Sequence, residues 1–228
     1  MTSFAQLLIQ LFVYVPIILL AVVLHELGHA WVSVWLGDRT PRVDGRLSMN
    51  PIHHFDANSL MFLLISGLFG GFFLVARPVR TSPESYRFPA LGEVLVALAG
   101  PVVNIFCALV LWPLFMLMGG LIAFERMYEL FFIYCLTGIK INLYIALFNL
   151  LPIPPLDGSY IWLSFFPYRR FGHFRETVAV YGMWVLLFAF VALLVLPNSL
   201  MGKIILWVNH LSESVIRFWS VIRFPAGW

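Results

Sequence analysis

Charged residues are scarce in this chain: 14 Lys and Arg and 11 Asp and Glu among 228 residues, or 11%. A water-soluble domain carries about 25%, so the composition excludes an ordinary soluble fold. Cysteine is scarcer still. Cys107 and Cys135 both lie in apolar runs, which reads as two buried thiols and excludes a disulfide-stapled secreted domain. No repeat, low-complexity tract or long polar connection interrupts the chain, so no appended regulatory or peptide-binding module is expected. The first apolar run has neither a charged n-region nor a small-residue cleavage site, and is expected to be retained rather than cleaved as a signal. The net charge of +3 does not point to nucleic acid. Lys and Arg sit in the connections between apolar segments, where the positive-inside rule places them.

What is abundant is apolar: 61% of residues are hydrophobic and 17% aromatic. Six apolar segments are legible, at roughly 4–36, 59–76, 93–123, 129–166, 177–197 and 200–222. This predicts an all-α, multi-pass integral membrane protein of about five to six transmembrane helices, built as one domain over 1–228 with a core at about 4–167 and C-terminal helices within 177–222. Two segments have the wrong length for a plain span of about 20 residues. Segment 59–76 is short and holds Gly67, Gly70 and Gly71, whereas 129–166 is too long and is interrupted by Pro152, Pro154 and Pro155. Arginine clusters follow the first, second and fourth segments (Arg39, Arg42, Arg46; Arg77, Arg80, Arg87; Arg169, Arg170, Arg175). All three clusters fall on the cytoplasmic side if 59–76 re-enters and leaves by the same face, which is the arrangement the charge rule favours. Irregular backbone at that depth must be covered by protein or water, so such a re-entrant, β-like element would line the active site. Segment 200–222, with Lys203, Glu213 and Arg217, either spans or lies along the surface.

Within the first apolar segment stands His25-Glu26-Leu-Gly-His29. Residues i and i+4 share one helix face, so both imidazoles can hold one zinc ion, and Glu26 can serve as general base toward a water at the metal. Ionisable groups at this depth cost about 2.5–3.5 kcal/mol each on insertion scales, a cost a bound ion offsets. The motif lies roughly 10–15 Å below the cytoplasmic end of its helix at 1.5 Å per residue. A catalytic zinc usually has three protein ligands, and the candidate for the third is Asp157 in Leu150-Leu-Pro-Ile-Pro-Pro-Leu-Asp157-Gly158. Among the segments before 177 it is, besides Glu26, the one acid well inside apolar sequence. The prolines break the helix and Gly158 lets the chain turn, and broken helices present carboxylates to ions at membrane depth. His53 and His54 are adjacent and point apart on any regular element, which reads as a structural pair rather than a second metal site. Lys140, inside the fourth segment, either snorkels outward, pairs with a carboxylate or is neutral.

These motifs together resemble the site-2 protease family of intramembrane zinc metalloproteases, in its short prokaryotic form without a PDZ domain. His25-Glu-Leu-Gly-His29 matches the family's H-E-x-G-H, Asn149-Leu-Leu-Pro-Ile-Pro-Pro-Leu-Asp157-Gly158 its aspartate motif, and Gly100-Pro101-Val-Val-Asn104 its G-P-x-x-N. Gly45-Arg-Leu-Ser-Met-Asn50-Pro-Ile-His-His54-Phe-Asp56 resembles a segment of the short subfamily. The resemblance covers about residues 20–165. It implies one Zn2+ per chain on His25, His29 and Asp157, Glu26 as catalytic base, and Asn104 and Asn149 near the cleft as substrate contacts or as helix-bridging amides. Ser159 stands where the family often has Gly, and Leu74-Val-Ala-Arg77-Pro-Val where Trp-Ala-Lys-Pro-Val is commoner. The implied function is hydrolysis of peptide bonds in membrane-spanning substrates, as in regulated intramembrane proteolysis, with the substrate unwound beside a strand near Phe72–Val79. The competing class is a metal transporter or a non-catalytic zinc-binding membrane protein. The apolar outer half of the first span and the presence of both the base and every ligand weigh against it.

Overall fold

Seven helices organise the residues that the structure, a computed structural model, describes: 4–56, 59, 61, 76–119, 125–195 and 200–221. They are α1 (Phe4–Trp35), α2 (Thr40–Val43), α3 (Pro89–Gly119), α4 (Glu125–Asn149), α5 (Asp157–Leu163), α6 (Tyr168–Val195) and α7 (Leu200–Val221). Single 3-10 turns lie at Pro51–His53 and Pro83–Ser85, and no strand occurs among the described residues. Helix satisfies every main-chain group within one segment, which lipid demands. Among the described residues, three stretches are long and apolar enough to cross a bilayer: Leu11–Trp35, Pro89–Met118 and Arg126–Asn149. α1, α3 and α4 pack on one another as a three-helix core.

The α3–α4 seam buries Ala108, Trp112, Phe115, Cys135, Ile139 and Leu143. On the other side, α1 residues Ile18, Val22, Val23 and Leu27 pack with Phe55 and Ala76. Where α1 crosses α3, Gly28 approaches so closely that a Cβ would stand 2.9 Å from the Ala99 carbonyl oxygen. Small residues permit such contact between helices at membrane depth. Cys107 and Cys135 are free thiols.

α1 stops by a defined device. Gly37 takes φ +110°, its N–H bonds the Val34 carbonyl at 3.1 Å, and the Asp38 N–H bonds the Ser33 carbonyl at 3.1 Å, which is the paired bonding of a Schellman motif. Asp38 then becomes a hub. Its carboxylate accepts from Ser33 Oγ at 2.9 Å, Thr40 N at 2.8 Å and Ser82 N at 2.8 Å, while the Tyr86 hydroxyl bonds Ser33 Oγ at 3.0 Å. The hub ties the end of α1 to α2 and to the approach to α3.

The long segment 129–166 resolves into two helices and a turn. α4 runs to Asn149, a proline-containing turn covers 150–156, and α5 opens at Asp157. α5 packs on α3. Gly158 sits flush on the Leu150 and Leu151 carbonyls, where any side chain would collide. α6 braces this region at two points. Arg175, buried, forms an ion pair with buried Glu93 of α3 and donates to the Phe166 carbonyl at 3.3 Å; Gly182 lies directly against Pro154.

Of the expected re-entrant element, residues 62–75 lie outside the described residues, as do residues 72–75 of the expected strand. Residues 76–82 carry no regular secondary structure. α7 packs on α3, α4 and α6, with Ser212 buried and the Tyr144 hydroxyl donating to Asn209 Oδ1 at 2.6 Å. Lys203, His210, Glu213 and Arg217 lie on its exposed side, and Lys140 is exposed on α4.

Burial alone would raise the Asp38 pKa, but hydrogen bonds from Thr40, Ser82 and Ser33 win and hold it below the ordinary 3.8. A depressed carboxylate stabilises the fold above its unfolded pKa and loses that contribution as pH falls through the folded value. Asp38→Asn is therefore expected to lower the thermal midpoint by a constant amount at pH above about 5, with the gap to wild type closing below about pH 4, as followed by thermal denaturation in detergent.

Candidate metal centre

His25 and His29 lie one turn apart on α1, with ring centroids 4.6 Å apart and planes at 83°. Their Nε2 atoms face each other at 3.0 Å. Asp157, the first residue of α5, directs Oδ2 to within 3.0 Å of His25 Nε2 and 3.3 Å of His29 Nε2. Two residues of one turn and a third 128 positions after His29 thus converge, with ligand atoms all within 4.8 Å of one another. They form the one such cluster among the described residues.

Hydrogen bonds behind the imidazoles assign their tautomers. Asn104 of α3 commits its amide nitrogen to the Ala21 carbonyl at 3.1 Å and to Asn142 Oδ1 at 2.8 Å. Its Oδ1 is thereby turned toward His25 Nδ1, 2.6 Å away, and must accept from it. His29 Nδ1 is 2.7 Å from the Val96 carbonyl, which can only accept. Each ring's Nδ1–H is thereby engaged with α3, and both Nε2 atoms are turned toward the carboxylate. A single proton can bridge one pair of these three atoms but not all at once. A cation satisfies all three, and two imidazole nitrogens with one carboxylate oxygen form the donor set that zinc takes in catalytic sites. The residues fit that ion.

α3 provides the floor of the site. Gly100 lies under both rings; a Cβ there would stand 2.6 Å from His25 Cε1 and in collision with His29 Nε2. Glu26, on α1 and 8% exposed, accepts from the Val79 N–H at 3.1 Å through Oε2. The structure therefore brings His25, His29 and Asp157 together. It places Asn104, fully buried, against the back of His25. Asn149 is set apart: it is half-buried at the end of α4 and donates to the Ile145 carbonyl of its own helix at 2.9 Å. His53 and His54 point apart, to the Gly45 carbonyl at 3.0 Å and the Ser48 carbonyl at 2.7 Å.

Three participants were not singled out from the sequence: Asn142, Gly182 and the Val79 amide. Asn142 carried a readable signal, a second amide side chain within an apolar span. The other two act through main-chain atoms and close approach, which leave no mark in residue type.

The family model for peptidase family M50 matches residues 13–140 and 125–194. Two relatives carry the name "Putative zinc metalloprotease". YwhC of Bacillus subtilis (strain 168) is 34% identical over 209 residues, covering 89% of this chain and 88% of the relative. Rip2 of Mycobacterium tuberculosis (strain ATCC 25618 / H37Rv) is 26% identical over 217 residues, covering 89% and 79%. No solved structure matches the chain.

Gly100→Ala is expected to abolish stoichiometric zinc binding while leaving helix content intact, since alanine is the better helix former. Asn104→Leu, which removes the acceptor behind His25, is expected to weaken zinc about 10–100-fold. Metal analysis and titration against a chromophoric chelator check both.

Proposed function

Because this chain belongs to peptidase family M50, the site-2 protease family of zinc metalloproteases, we propose that it hydrolyses peptide bonds of membrane-spanning substrates at the His25–His29–Asp157 centre, in the manner of regulated intramembrane proteolysis. It is an integral membrane protein with apolar helices long enough to span a bilayer. The observation that carries the reading is the meeting of two imidazole Nε2 atoms and one carboxylate oxygen, with both Nδ1 atoms bonded to α3, beside a buried glutamate. One zinc ion per chain, and a site opening toward the cytoplasmic side, belong to the same reading, as does treating 1–228 as one membrane-embedded unit.

His25, His29 and Asp157 would hold a zinc ion, which would supply Lewis acidity toward a water and the scissile carbonyl. Glu26 takes the water's proton and passes it to the leaving amine. The Val79 N–H, bonded to Oε2, holds the carboxylate in one orientation, so one oxygen is fixed and the other is available for the proton. Asn104 keeps His25 in the tautomer that ligates. A substrate helix has its amides satisfied internally and must unwind before attack; the chain near Phe72–Val79 is the candidate for pairing with the unwound stretch as an added strand.

Glu26→Gln is expected to lower cleavage of a reporter transmembrane helix by at least about 100-fold with zinc content unchanged. Cleavage at the wild-type rate would remove Glu26 from the role of base. Val79→Pro, which deletes the N–H bonded to Oε2, is expected to reduce turnover with zinc retained. Unaltered turnover would show that this contact does not matter.

A further inference from the structure

The loop that resembles the short-subfamily segment, Gly45–Asp56, takes no part in the chemistry above, yet it meets the active site through one residue. Arg77 is gripped by its main chain alone. Its N–H donates to the His54 carbonyl at 3.0 Å, and its carbonyl accepts from Arg46 Nη1 at 3.1 Å. Both partners come from the same loop. Two residues further on, the Val79 N–H reaches Glu26. The grip on Arg77 and the bond from Val79 hold one edge of this short segment at two points, two residues apart.

That edge has a single workable register. Pro78 lies between the two and has no N–H. A slip of one residue would set Pro78 opposite the His54 carbonyl and turn the Val79 amide away from Glu26. The grip is itself anchored. Gly45 adopts φ +70°, which places the Arg46 N–H on the Pro41 carbonyl at 2.9 Å. His53 and His54 cross-tie the loop through the Gly45 and Ser48 carbonyls. Arg46 is 4% exposed, so its guanidinium is withheld from water rather than left as a solvated surface cation. Arg80, on the same segment, pairs with Asp44 at 2.8 Å but is 70% exposed, and such pairs contribute little.

We propose that Arg46 is a positioning residue for the general base: its hold on the Arg77 carbonyl fixes the register of 76–82 and so keeps the Val79 amide on Glu26. The proposal rests on the reading of Glu26 as base only for its catalytic consequence; the placement itself is open to measurement without substrate. Hydrogen exchange by mass spectrometry on the purified, zinc-loaded chain, resolving the peptide that contains Val79, is the test. Arg46→Met is expected to speed exchange there about tenfold with zinc stoichiometry unchanged. Arg46→Lys, which still reaches a carbonyl, should restore most of the protection, and Arg80→Met should leave it as in wild type. Glu26→Ala should speed exchange in the same peptide, and adding Arg46→Met to it should bring little more, because both act on one hydrogen bond. If Arg46→Met leaves that peptide as protected as in wild type, or speeds it no more than Arg80→Met does, the proposal is overturned. If Arg46→Met fails to fold, Arg46→Gln, whose side chain is too short to keep the contact, decides: wild-type protection there with a normal thermal midpoint would also contradict it. Reporter cleavage by Glu26→Gln fails independently if the base is misassigned, leaving the exchange result standing.

Discussion

Three lone pairs that face one another beneath the ends of apolar helices impose the constraint on which this molecule depends. Two imidazole nitrogens and a carboxylate oxygen stand 3.0–3.3 Å apart, at a depth where low polarity strengthens every charge interaction. A cation placed among them satisfies all three at once, and the surrounding residues leave room for one. Gly100 leaves the necessary space under both rings. Asn104 Oδ1 and the Val96 carbonyl accept from the two Nδ1 atoms and so fix both ring orientations.

The same constraint explains how the helices pack. His25 and His29 come with α1, but Asp157 arrives on a separate short helix, and its position is inherited from α3 and α6. α5 rests on α3, Gly158 folds tightly over the end of α4, and Gly182 of α6 presses on Pro154. The buried Arg175–Glu93 pair then fixes α6 to α3 beside the loop that follows α5. Removing one partner of such a pair leaves a buried charge unmatched, which is far more costly than losing an exposed bridge. Small residues, an ion pair and a proline turn together place one carboxylate. The extended chain at 76–82 performs the matching task for Glu26.

Much of this was legible in the sequence, for identifiable reasons. The His25–His29 pairing follows from helix geometry alone, because covalent spacing puts i and i+4 on one face. Asp157 could be singled out since an acid embedded in apolar sequence demands a partner. The proline-broken passage was readable too, and 129–166 divides at the prolines into α4, a turn and α5. The tautomer assignment was not, because a choice between two ring nitrogens depends on carbonyls from α3 that residue type does not announce. Nor could the sequence reveal that Asn104 backs His25 while Asn149 bonds its own helix, as both are the same residue in similar apolar surroundings. The attachment of Val79 to Glu26 is a main-chain contact, and its one sequence trace is the neighbouring Pro78.

X-ray absorption at the zinc edge on the purified, detergent-solubilised protein tests the central claim most directly. A first shell of two imidazole nitrogens and carboxylate oxygen at about 2.0–2.2 Å, losing an oxygen contribution in Asp157→Ala, is the predicted result. A shell without imidazole scattering, or one identical in wild type and Asp157→Ala, would contradict it.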